Sequence, residues 1–138
     1  MEFDINNSYK IELSENWEYS LKENLLTIYR GESGVGAINI SNYFLEPSTF
    51  NDLDLESELE GFIFSTLPNL DTTDLNIHRD NLFYFCGLIE SNDFWKFAII
   101  GKSNKVLFIS YNCSRLLYKQ ELKEVKKIIN SIKVFSDS

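Results

Sequence analysis

Residues 92–134 constrain this chain more than any other stretch. Phe94, Trp95, Phe97, Ala98, Ile99 and Ile100 form an almost wholly apolar run. Gly101-Lys102-Ser103-Asn104 reads as a turn, and Val106, Leu107, Phe108, Ile109 and Tyr111 form a second run. Two such runs around a Gly/Ser/Asn turn predict a hairpin. Tyr118, Leu122, Val125, Ile129 and Ile132 then recur at helical spacing and make one apolar face, which predicts a helix near 117–132. Strands apolar on both faces belong in the middle of a covered sheet. The segment from Leu82 to Ile89 has the same character: Leu82, Tyr84, Cys86 and Leu88 alternate with Phe83, Phe85 and Ile89.

Upstream, shorter strands follow one another. Tyr9, Ile11 and Leu13 alternate with Lys10 and Glu12, and Trp17, Tyr19 and Leu21 alternate again. Leu25 to Arg30 and Ala37 to Phe44 read as two more strands, the latter with Ile38, Ile40 and Phe44 on one face. Short strands at regular intervals predict an antiparallel meander. After Pro47 the period changes. Leu55, Leu59, Phe62, Ile63 and Thr66 fall on one helical face, and Asp52, Asp54 and Glu56 load the first turns, where acids complement the helix dipole. The expectation is a helix over about 52–66, capped by Asn51 or Asp52 and stopped by Pro68. Leu75 to His78 reads as a short strand and Asp80-Asn81 as a turn. The fold class expected is α+β: a single antiparallel sheet of about six to eight strands in a meander, flanked by two main helices. At 138 residues the whole chain, 1–138, is expected to form one domain. Two helices for so many strands means either that they take opposite faces or that one sheet face stays open, and an open face is a partner site.

Charge narrows the function. The net charge is −8 and the pI near 4.6, which disfavours a phosphate-backbone partner and suits a basic one. Apolar runs fall far short of the ~18 residues a membrane span needs, and the N-terminus carries acids rather than an apolar signal region. A cytoplasmic protein is expected, with Cys86 and Cys113 as buried thiols unless their strands are neighbours.

The residues that carry chemistry are sparse. His78 is the only histidine, beside Arg79 and Asp80, with no nucleophile nearby. One His, two separated Cys and the acids at 52, 54, 56, 58 and 60, which spread around a helix, do not make a metal site. Gly31-Glu32-Ser33-Gly34-Val35-Gly36 lacks the Lys-Ser/Thr ending of a phosphate loop and precedes a strand, so it reads as a hairpin turn with a bulge. Arg115 reads as an orienting residue between strand and helix. No catalytic residues, cofactor or metal are expected, and the protein is read as no enzyme. On the first helix, Leu53, Ser57, Glu60 and Phe64 fall opposite the apolar face at about 100° per residue. Phe64 ringed by Glu60, Asp54 and Glu56 has the anatomy of a contact hot spot. The candidate protein-binding residues are therefore Leu53, Asp54, Glu56, Ser57, Glu60 and Phe64.

Two segments carry a resemblance. Tyr9 to Trp17, a strand followed by a polar turn and Trp, resembles the opening of PsbP-like proteins, with Ser14-Glu15-Asn16-Trp17 where they have Pro-x-Gly-Trp. An apolar strand pair leading to a helix that ends Ile128-Ile129-Asn130-Ser131-Ile132-Lys133-Val134 resembles their close. The resemblance implies a sheet with helices packed on it, an α/β/α sandwich. It also implies a binding role, since members bind a photosystem, a small GTPase or secretion effectors. Type VI secretion effector chaperones of this fold grip apolar helices of their cargo on the sheet. The reading expected is an immunity-type protein that neutralises a cognate, basic, secreted toxin, with an effector chaperone as the alternative. A homodimer is left open.

Overall fold

The computed structural model describes residues 1–31, 34–71, 75–80 and 83–136. The main sheet has seven strands: β3 (Glu18–Lys22), β4 (Leu25–Tyr29), β5 (Ala37–Phe44), β6 (His78–Asp80), β7 (Phe83–Glu90), β8 (Asp93–Lys102) and β9 (Lys105–Ser114). Their spatial order is β3-β4-β5-β9-β8-β7-β6, antiparallel throughout. The sheet therefore grows outward from the β8–β9 hairpin, the pair whose two faces are both apolar. That pair turns on Ser103 and Asn104, with φ of 53° and 65°, between the facing residues Lys102 and Lys105. Two left-handed residues are what a two-residue hairpin turn needs to match strand twist. Gly101, expected in the turn, lies in β8 instead. A Cβ there would come within 2.9 Å of both methyl carbons of Leu55, so its smallness lets a helix approach the strand.

The first helical segment begins earlier than expected. Pro47, expected to end the sheet run, opens a short helix α1 (Pro47–Asn51), where its missing N–H and fixed φ suit a first turn. The main helix α2 (Leu55–Thr66) is capped by Asp54, not by Asn51 or Asp52. Asp54 Oδ1 accepts from the Ser57 N–H at 3.3 Å, and Pro68 follows the last turn. Buried Leu59 and Ile63 press α2 onto Cys86, Phe97, Ile99 and Val106 of β7, β8 and β9. Full burial of each is worth roughly 1.5–3 kcal/mol.

The opposite face carries Leu26, Ile28, Ile38, Ile40, Leu107, Ile109 and Tyr111. It is covered by α3 (Leu122–Asn130) and by a second sheet of order β1-β2-β10: β1 (Glu2–Ile5), β2 (Tyr9–Glu12) and β10 (Lys133–Val134). This second sheet departs from the single sheet expected. Tyr9, Ile11 and Val134 fall on its inner side and close the core. The helix expected over 117–132 breaks at Glu121, with a single 3-10 turn at Tyr118–Gln120 before it. Its end caps on Ser131, whose Oγ donates to Ile128 O at 2.6 Å and accepts from the Glu12 N–H at 2.9 Å. Thus Ser131, in the stretch that resembles the PsbP-like ending, stitches α3 to β2.

The two helices take opposite faces. Cys86 and Cys113 are both buried and free, lie on opposite faces, and have β8 between their strands. β7 is less enclosed than its sequence implies, because Gly87 and Ile89 on the α3 side are exposed. β6 begins at His78, with Leu75 and Ile77 ahead of it as irregular chain packed on the α2-side core. The turn expected at Asp80-Asn81 ends, and the bulge expected at Glu32-Ser33 falls, outside the described residues. Among the described residues, no helix is long and apolar enough to cross a membrane.

Candidate protein-binding surface

Helix α2 has two flanks because it lies over β7 and β8 rather than over the middle of the sheet. Glu56, Glu60 and Phe64 look toward Leu75 and Ile77 and line a shallow cavity of about 210 Å³ with them. Of the sequence-predicted residues, Glu56, Ser57 and Glu60 are exposed and Asp54 is the helix cap. Leu53 is half-buried against the α2-side core. Phe64 is half-buried on the flank of the helix. The structure therefore brings Glu56, Glu60 and Phe64 together, and places Leu53 in a packing role.

The other flank faces sheet that no helix covers among the described residues. Alternation fixes which side chains lie there. Phe108 belongs to the α2 side, so Ser110 and Asn112 do too, and the register carries the same face to Asn39, Ser41, Thr27 and Leu25. Leu25, Tyr29 and Tyr43 are exposed on it. Thr27 Oγ1 donates to Asn39 Oδ1 at 2.9 Å, joining β4 and β5 across the middle. Where this open half meets α2, Tyr43 and Phe62 both stand edge-on to Phe108, at 5.7 and 5.2 Å. With Ser41, Glu58 and Gly61 they frame a groove of about 290 Å³. A Cβ on Gly61 would meet nothing within 4 Å, so the helix wall is open there. Sequence reasoning missed this groove because α2 sits off-centre, and nothing in its own periodicity says so.

Charge is segregated. No Lys or Arg stands between Arg30 and Arg79, whereas Glu46, Asp52, Asp54, Glu56, Glu58 and Glu60 do. Between Lys96 and Lys133 the only acids are Glu121 and Glu124, and Arg30 engages both, at 3.1 and 3.2 Å. The α2 side is acidic, and the surplus base belongs to the α3 side.

A buried polar cluster lies on the α3 side. Glu121, wholly buried, accepts from the Val35 and Gly36 N–H groups at 3.1 and 2.9 Å and from the Tyr111 hydroxyl at 2.7 Å. Burial, then hydrogen bonds to Cys113 and Glu121 and the Glu121 charge, hold the Tyr111 phenol far above its ordinary range. Burial and the charges of Glu121 and Asp93 push the Cys113 thiol up against the opposing Tyr111 hydrogen bond. A neutral, enclosed thiol is a poor nucleophile, and the cluster acts as a staple between the 34–36 loop and α3. His78 is exposed at the sheet edge and stacks on Phe85 at 5.4 Å. Arg115 donates from Nη1 to Ser91 O at 3.3 Å, tying the end of β9 to the β7–β8 turn. No group of three metal-ligating side chains occurs among the described residues.

A seven-stranded antiparallel sheet with a helix on each face and a small side sheet defines a known class of α+β sandwich. It is the PsbP-like fold, as the solved structures show. Cyanobacterial PsbP (CyanoP) of Synechocystis sp. PCC 6803 superposes with a TM-score of 0.70 at 8% identity, over 98% of this chain and 92% of that one. The Ran-binding protein Mog1p of Saccharomyces cerevisiae gives 0.64 at 8% identity, over 99% and 95%. A protein of Bacteroides thetaiotaomicron VPI-5482 gives 0.69 at 13% identity over 99% of this chain, which spans about half (48%) of that protein. No family model matches the sequence, and no curated protein does.

Proposed function

We propose that this chain is a non-catalytic protein-binding module, and that it docks a basic partner on the open half of the main sheet and the acidic outer side of α2. The observation that carries this reading is the placement of the acids: the longest stretch without Lys or Arg supplies the helix bordering the uncovered sheet. An acidic surface beside exposed tyrosines suits fast capture of a basic protein, with the aromatics as anchors. In its finer form, the module is a cytoplasmic immunity-type protein that neutralises a cognate secreted toxin. Glu56, Glu60 and Phe64 form one edge of the contact and Tyr43 the other.

The groove of Tyr43, Phe62 and Phe108 favours a second reading, an effector chaperone that takes an apolar helix of its cargo. The two differ in salt dependence. The test measures binding to the secreted protein encoded beside this one, at 50 and 300 mM salt, with Glu56→Lys/Glu60→Lys as the variant. The inhibitor reading expects affinity to fall at least tenfold with salt and with charge reversal, and expects co-expression to protect cells. Salt-insensitive binding lost only in Tyr43→Ala or Phe62→Ala would establish the chaperone instead.

A further inference from the structure

A cavity of about 630 Å³ opens on the α3 side of the main sheet, where β8, β10 and the end of α3 meet. We propose that it binds a small apolar carboxylic acid, the tail on an aliphatic and aromatic floor and the carboxylate among lysines. Its size falls in the range of small-molecule sites, which are mostly apolar with a few convergent polar groups. Phe83, Ile100 and Ile132 are among the apolar residues lining it, and Lys10, Lys102 and Lys133 supply the charge. Asp80 is the one acid among the described lining residues.

The lysines are placed at a cost. Lys10 and Lys133 stand directly opposite in the β2–β10 register, and Lys102 opposite Lys105 in the β8–β9 register. Like charges facing each other across strands destabilise the pairing. A chain of net charge −8 has acids to spare, yet among the described residues the relief at Lys10 and Lys133 is slight. Among the described residues, Lys10 pairs with the largely exposed Glu2 alone, at 3.7 Å. The Lys105 ammonium donates to Phe135 O, at the cavity's rim, at 2.7 Å. No ion pair joins Lys102 or Lys133 to a described residue. A carboxylate seated between them supplies the missing counter-charge, and burying its tail covers the floor. This site is separate from the α2 surface and does not depend on the partner proposed there.

Isothermal titration with laurate and with 2-naphthoate tests the proposal, with dodecanol as the neutral control, all kept below aggregation. The expected result is saturable one-to-one binding of at least one acid, at least tenfold tighter than dodecanol. Lys102→Gln/Lys133→Gln, both exposed positions, should weaken it at least tenfold with an unchanged circular dichroism spectrum. Lys133→Glu should raise Tm in the absence of acid by pairing with Lys10, yet lose acid binding. Binding of neither acid, equal binding of laurate and dodecanol, or unchanged binding in the lysine variants would each overturn the proposal.

Discussion

Glu121 shows how much one side chain can hold. It gathers two backbone N–H groups, a phenol and a guanidinium at a site closed to water. Removing one partner of a buried ion pair strands the rest, which costs about 3–5 kcal/mol. Glu121→Ala should lose stability of that order in urea unfolding, and Tyr111→Phe distinctly less, because it leaves the ion pair in place. Gly36 belongs to the same staple. A Cβ there would collide with the Asn112 carbonyl oxygen, so Gly36→Ala should destabilise although the backbone there is not left-handed. Tyr9 and Tyr111 supply a pH signature. Both are held protonated above the ordinary range, Tyr9 by burial alone. A raised folded pKa gives stability that is fully present below the unfolded value near 10 and is lost as pH climbs beyond it. Each contributes a loss of about 1.4 kcal/mol per pH unit there, and Cys113, its thiol also pushed up by burial, adds a loss that begins in the ordinary thiol range. Lys96 works in the other sense: burial and the neighbouring Lys126 lower its pKa, so stability rises as it neutralises below 10.5. Absorbance near 295 nm followed against circular dichroism should therefore show two of the seven tyrosines ionising only as the fold is lost.

At the scale of elements, α2 is the part whose stability and binding separate most cleanly. Its inner face is core: Leu59→Ala or Ile63→Ala should cost about 2–5 kcal/mol. Its cap is local, and Asp54→Ala should cost about 1 kcal/mol. Its outer flank is the proposed contact. Phe64→Ala and Glu60→Lys should keep the melting temperature within a few degrees and weaken partner capture. Unfolding in Phe64→Ala would instead make the side chain a support for the 75–77 segment and confine the contact to Tyr43, Phe62 and the open sheet. On β6, His78→Ala should leave the cellular effect intact, since the ring stacks on Phe85 at an exposed edge. Loss of effect in a folded His78 variant would defeat the non-catalytic reading.

The whole molecule is polarised across its main sheet, with acids on the α2 side and surplus lysine on the α3 side. Net charge alone would predict a protein that repels every anion, but this arrangement gives it two surfaces of opposite preference. Partner capture on the α2 side should weaken with salt over the Debye range while the fold itself holds. Charge reversals at Lys102 and Lys133 should leave that capture unchanged, and reversals at Glu56 and Glu60 should leave acid binding unchanged.

What the amino-acid sequence determined by itself is local. The β5 strand and the inner face of α2 are legible because their apolar patterns suit one period, and the β8–β9 hairpin because two apolar runs flank a short polar turn. The PsbP-like resemblance was carried by such patterns too. What only the tertiary structure decided joins distant residues. Lys133 and Val134 read as the end of a helix, yet they leave α3 to pair with Lys10 and Tyr9, because β2 offers an unpaired edge and Ser131 ends the helix beside it. Glu121 carries no mark in the sequence, since its backbone donors lie 85 and 86 residues away. The open half of the sheet is hidden for the same reason. Alternation in β5 states that Asn39 and Ser41 share one side of the strand, but where α2 comes to rest depends on Gly101 making room for Leu55 and on the apolar side chains of β7 and β8. Pattern is a property of neighbours in the chain, and coverage is a property of neighbours in space.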